Sequence, residues 1–259
     1  MPVHPTAIVD RGAKIHETAE IGPYCIIGPD VQIGARTVLK ANLFLEGPLE
    51  IGEDNLFYPW ATIGVASQDM KYKGERAWVH IGNRNSIREF VSIHRGTEGG
   101  GLHTRIGDDN LLMTYSHIGH DCQIGNHVII GNSVGLGGHV TVEDWADVAP
   151  FSGVHQFCRI GRHAFVGPYS VIKQDVMPFS LTSAQPDVQV FGANQIGLRR
   201  RGIVTAVVES LQTALRLLTR AGLNTTQAVE RIRAEVAPCA EVDELLSFIA
   251  ASERGVIKG

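Results

Sequence analysis

An aliphatic or aromatic residue returns every six positions along most of this 259-residue chain, and no other feature constrains its fold as strongly. The register runs Val3, Val9, Ile15, Ile21, Ile27, Ile33, Leu39, Leu45, Ile51, Phe57 and Ile63, then resumes in phase at Ile81, Ile87 and Ile93. Shifted by one residue, it continues unbroken from Ile106 to Ile172. An amphipathic helix would repeat at 3.6 residues and a half-buried strand at two. A period of six fits a parallel β-helix, in which one hexad forms a short strand and a corner and three hexads close a triangular coil. Each inward residue then stacks on its counterpart three hexads later, because no single repeat can bury its apolar side chain alone. Glycine often follows the inward residue (Ile21-Gly22, Ile33-Gly34, Ile130-Gly131), as expected where a backbone turns a tight corner.

The hexads cease near Pro178. Residues 179–195, with Pro186 and Gly192, read as an irregular connector. Apolar residues at 204, 207, 208, 211, 215 and 218 then trace a helical stripe that Gly222 ends. Asn224 with Gln227 forms a capping-box pattern for a second helix, and a third is expected around 242–251 after Pro238. The expected plan is a mainly β chain: a β-helix domain over residues 1–190 and a small α-helical C-terminal domain over 191–259. The helices should cap or flank the open end of the prism, where an uncovered sheet edge would be adhesive.

Composition narrows the function classes. A net charge of −4 argues against nucleic acid as the main partner, although nine Lys and Arg against seven Asp and Glu from residue 189 onward leave the tail basic. No apolar run approaches the 18 residues of a membrane span, and the N-terminus lacks the order of a signal peptide. Four cysteines at unrelated spacings read as reduced and buried, so a cytoplasmic location is the default expectation.

Interruptions in a solenoid usually fall on one face and carry function. The first, Gln68–His80, is polar and holds Asp69, Lys71 and Lys73; the second, Glu98–Arg105, is glycine-rich and reads as a flexible loop. Beyond them lies Ser116-His117-Ile118-Gly119-His120-Asp121. Stacking three hexads apart puts His120 in one column with Gly138 and Gln156, with His139 and His155 one residue to either side. A neutral imidazole there could take a proton from an attacking hydroxyl, a carboxylate could orient it, and a corner N–H such as that of Gly138 could hold an oxyanion. Cys122 falls at a small inward position, which argues against a nucleophilic role. Two other readings compete: a three-histidine zinc site like that of gamma-class carbonic anhydrases, and a scaffold with surface histidines.

The motifs Asp69-Met70-Lys71-Tyr72, Ile93-His94-Arg95-Gly96-Thr97, His117-Ile118-Gly119-His120-Asp121, Gly138-His139-Val140, Val154-His155-Gln156-Phe157 and Arg200-Arg201-Gly202 occur in that order. Together with the hexads they resemble the bacterial UDP-N-acetylglucosamine O-acyltransferase family, and the resemblance extends from residue 3 through the C-terminal tail. It implies a left-handed β-helix, a homotrimer with active sites between subunits, and an acyltransferase without a cofactor or metal. It also implies transfer of a (R)-3-hydroxyacyl chain from acyl carrier protein to the glucosamine 3-hydroxyl of UDP-N-acetylglucosamine, the first step of lipid A biosynthesis. His120 matches the general base, Asp121 its partner and Gly138 the oxyanion donor. Gln68, Asp69, Lys71, His94, His117 and His139 match residues lining the cleft. His155, Gln156, Asn194, Arg200 and Arg201 match the nucleotide-recognition set. Pro168 falls at the acyl-length ruler, where its bulk favours a shorter chain than glycine would. Ile196 replaces a glutamate common in the family, removing one nucleotide contact, and a 3-amino sugar acceptor fits the same pattern.

Overall fold

The computed structural model describes residues 3–184 and 187–258. Twenty-five short strands, from Ile8–Val9 to Val171–Ile172, wind into a left-handed parallel β-helix with three flat faces. The first face begins at Ile8–Val9, the second at Lys14–Ile15 and the third at Glu20–Ile21. Registers follow the hexad rule: Ile118 pairs with Leu136, which stacks next to Val154. Inward positions from Ile27 to Ile172 are almost wholly buried and form one continuous core. Across the two interruptions Ile63 pairs with Ile93 and Ile93 with Ile118, so the inserts leave the stack undisturbed.

The corners are built differently from the expectation. The glycine after the inward residue mostly has ordinary φ; the left-handed backbone falls two positions later, on residues such as Tyr24, Asp30, Arg36 and Asn42 (φ 55 to 58°). Glycine is needed for closeness instead: a Cβ on Gly34 would lie 2.5 Å from the carbonyl oxygen of Gly52 in the next coil. Left-handed backbone at a non-glycine residue costs about 1 kcal/mol or more, and here the side chains stack up the corner. The Phe90 and Tyr115 ring centroids lie 4.7 Å apart and those of His139 and Phe157 4.3 Å apart, each pair stacked with nearly parallel planes.

Residues 179–184 and 187–195 hold a pair of strands, in contrast to the expected irregular connector. Ser180–Ser183 adds to the third face beside Phe165 and pairs antiparallel with Gln189–Ala193. Burial that alternates through Ser180–Ser183 and over residues 189–192 explains the hairpin; its signal is too short to stand out beside the hexads. Gln185 and Pro186 lie outside the described residues.

Four helices follow among the described residues: α1 (Gln195–Arg200), α2 (Thr205–Arg220), α3 (Thr225–Glu235) and α4 (Ala240–Ala250). Asn224 and Gln227 form the expected capping box. The arginine triplet ends α1 rather than starting a helix, which places positive charge at the negative end of its dipole. The helices flank the end of the prism. Ala193 N donates to Gln212 of α2 (2.8 Å), Arg162 pairs with Glu244 of α4 (2.6 Å), and Arg159 lies over the Phe248 ring (4.1 Å). The tail returns to the second face, where Val256 pairs with Asp175. No helix among the described residues is long and apolar enough to cross a membrane.

Candidate active site

Both inserts leave the same edge of the prism, between the first and second faces. One joins Thr62–Val65 to Trp78–Ile81, the other Ser92–His94 to His103–Ile106. The next coil turns that edge at His120–Asp121, and the two after it turn at Gly138–His139 and Gln156–Phe157. Glu75 ties the inserts together, accepting from Lys73 N (2.8 Å) and Glu98 N (3.1 Å). Between inserts and edge lies a cavity of about 570 Å³, whose walls include Asp69, Lys71, Lys73, Glu75, Thr97, His120, His139 and Gln156. In the Gly-rich second insert Glu98–Gly100 forms an exposed 3-10 turn, and Thr97 beneath it is buried.

His120 and Asp121 form a defined pair. His120 Nδ1 lies 2.8 Å from Asp121 Oδ2. A carboxylate only accepts, so Nδ1 carries the proton and Nε2 is left as the basic nitrogen. The Asp121 side chain is fully buried, whereas the His120 ring keeps 14% exposure. Gly138 lies directly over the imidazole: a Cβ at that position would overlap the His120 ring. This is a glycine that the site itself requires. The Gly138 N–H has no partner among the described residues and is available to an oxyanion. Cys122 is wholly buried, donates its thiol to Gly137 O (3.2 Å), and has its pKa pushed up to about 12 by burial. It is a core residue.

His120, Asp121 and His139 bring ligand atoms within 4.8 Å of one another. The set fits a tetrahedral cation poorly. Asp121 Oδ2 already accepts from His120 Nδ1 and from Thr97 Oγ1 (2.6 Å), and a metal would have to break those bonds. His155, the third histidine of the zinc reading, is exposed, and its Nδ1 either donates to Gln156 O (3.2 Å) or accepts from Arg254 (3.3 Å).

The neighbouring histidines are biased toward neutrality. Burial, then the facing His117 and His120, lowers the His94 pKa to about 4. His117 is lowered by burial and by His120, and its Nδ1 lies 2.8 Å from Ser92 Oγ. Burial also lowers His139, with Asp121 opposing.

A family model described as UDP-N-acetylglucosamine O-acyltransferase, domain 2, matches residues 175–257. Another, described as bacterial transferase hexapeptide (six repeats), matches residues 12–47 and 103–138. The acyl-[acyl-carrier-protein]–UDP-N-acetylglucosamine O-acyltransferase of Thermodesulfovibrio yellowstonii is 44% identical over 256 residues, 99% of each chain. Its counterpart from Burkholderia lata is 46% identical over 260 residues, again 99% of each. The chain belongs to the UDP-N-acetylglucosamine O-acyltransferase family. The crystal structure of the Moraxella catarrhalis family member superimposes with a TM-score of 0.94 at 39% identity, covering 100% of both chains.

The sequence-predicted residues fall into two groups in this acyltransferase. Asp69, Lys71, His120, His139 and Gln156 line the cavity, with Asp121 and Gly138 behind His120. His94 and His117 pack edge to face (4.9 Å) on the first face, one turn from His120. Gln68 is exposed at the base of the first insert. Asn194, Arg200 and Arg201 do not line the cavity. Asn194 caps α1 through Gly197 N (3.2 Å) and donates to His163 O (3.1 Å). Arg201 pairs with Asp147 of the third face (3.2 Å) over the Trp145 ring, while Arg200 and Ile196 are exposed. Pro168 is exposed at a corner beside Tyr169. Sequence reasoning missed Thr97, Glu75 and Ser92, whose partners come from other coils. Thr97 stood in the sequence only as the last residue of the Ile93–Thr97 motif, and Glu75 and Ser92 only by their place within or beside the two interruptions.

Two buried histidines give the fold a pH dependence. His94 and His163, 6% and 4% exposed, both have pKa values lowered to about 4, chiefly by burial. The unfolded chain binds their protons near pH 6.5 and the folded chain does not. Their stabilising effect is therefore complete above pH 6.5 and is lost as pH falls toward 4, up to roughly 3 kcal/mol each. The melting temperature should drop through that window. His163→Phe, which keeps the stack on Trp145 and Phe179, should shallow the slope; an unchanged slope would contradict the assignment.

Proposed function

We propose that this chain transfers a (R)-3-hydroxyacyl group from acyl carrier protein to the glucosamine 3-hydroxyl of UDP-N-acetylglucosamine, opening lipid A biosynthesis, with His120 as general base. One observation carries the mechanism: a histidine whose Nδ1 is held by a buried carboxylate (2.8 Å) packs against Gly138 in a lysine-bearing cavity. His120 Nε2 takes the proton as the hydroxyl oxygen bonds to the thioester carbonyl carbon. Asp121 stabilises the imidazolium, and Gly138 N–H donates to the oxyanion. The C–S bond then breaks, and the imidazolium returns its proton to the departing thiolate. Lys71 and Lys73 offer charge to the diphosphate or to the carrier's phosphopantetheine.

Asn194, Arg200 and Arg201 supply nucleotide recognition from a second copy in this reading. They stand apart from His120 in their own chain, and Arg200 is exposed with no side-chain hydrogen bond among the described residues. A cytoplasmic homotrimer places one copy's arginines against the next copy's cavity. The exposed Pro168 favours a shorter acyl chain. Release of carrier thiol that depends on UDP-N-acetylglucosamine tests the reaction class. The rate should be unchanged by chelators; loss on chelation would return the zinc reading.

A further inference from the structure

We infer that the second insert is a clamp for the catalytic carboxylate, and that Thr97 is a positioning residue acting through Asp121. The inference rests on the reading of His120 as the base. Asp121 is buried with a left-handed backbone (φ 60°) at a corner, so neither solvent nor a regular strand fixes its rotamer. Thr97 fixes it from the coil below. Its N–H donates to Asp121 Oδ1 (2.9 Å) and more weakly to Oδ2 (3.1 Å), and its hydroxyl donates to Oδ2 (2.6 Å). Thr104, at the far end of the insert, accepts from Asp121 N (2.8 Å) and secures the backbone. The carboxylate plane is thus set by Thr97, and His120 Nδ1 donates to the lone pair that remains on Oδ2.

The insert's glycines follow from the same geometry. A Cβ on Gly100 would fall on the Asp121 carboxyl carbon, and one on Gly96 would lie 2.8 Å from Asp121 Oδ1. Neither has positive φ, so their smallness serves space rather than backbone freedom. A glycine-rich turn can therefore press its backbone onto a buried carboxylate, excluding water while donating to it. A buried carboxylate without such donors would be raised in pKa and free to rotate.

Thr97→Val keeps the shape and the N–H but loses the hydroxyl. Turnover should fall about 10- to 50-fold, as for loss of one hydrogen bond to a charged group, with KM for both substrates within about twofold. Thr97→Ser should restore it. Thr97→Ala serves should valine overpack the site. Added to Asp121→Ala, Thr97→Val should have no further effect, because a residue acting only through Asp121 cannot act when it is gone. Wild-type turnover in the valine and alanine variants, or a loss that multiplies fully with Asp121→Ala, would overturn the clamp. His120→Ala run alongside separates the two ideas: an inactive His120→Ala with a fully active Thr97→Val removes the clamp alone. An active His120→Ala removes the base on which it rests.

Discussion

Replacing His120 with alanine is expected to lower turnover by at least about 10²-fold while leaving the protein folded. Among the described residues the ring hydrogen-bonds only to Asp121, and it meets His139 edge to face at 5.0 Å, outside the apolar core. Asp121 keeps both donors from Thr97 when the imidazole is gone, so no buried charge is stranded. Melting should shift by a few degrees at most. The KM for UDP-N-acetylglucosamine should change little, since a base acts in the transition state rather than in binding. Steady-state kinetics with a thermal melt check both halves. Turnover near wild type would remove His120 as the base; an unfolded variant would show that the ring supports the corner.

The second large effect concerns the frame that holds the site. Gly34→Ala should destabilise the β-helix by about 3 kcal/mol, the upper range for overpacking, because the new Cβ would lie 2.5 and 2.6 Å from the Gly52 carbonyl oxygen and carbon. A backbone cannot move aside as a flexible side chain can. Gly135→Ala is the control: its Cβ would meet nothing within 4 Å, and its φ is not positive. That variant should melt with wild type. Equal melts for the two would mean that the coils are not held at this spacing.

Much of the fold was legible because one inward residue per hexad must be buried, and Ile118, Leu136 and Val154 report that in plain periodicity. The same stacking rule puts His120 in one column with Gly138. It could not explain the glycines after the inward residues. Backbone approach between coils and left-handed φ both favour glycine, and the left-handed corner positions are filled mostly by Asp, His and aromatic residues instead. Thr97 and Glu75 were hidden for another reason. Inserts have no period, so what they touch depends on how each loop folds back over the edge. The hairpin at 180–193 was masked by strands of four and five residues, too short to announce themselves next to a repeat.

The most direct test of the account is mass spectrometry of the product formed from UDP-N-acetylglucosamine and (R)-3-hydroxyacyl carrier proteins of C10 to C16 chains. The account predicts an ester carrying one preferred, shorter chain, made by the wild-type protein and absent with His120→Ala. No acylated nucleotide sugar from the wild-type protein on any chain, with the 3-amino acceptor also unreacted, would contradict it.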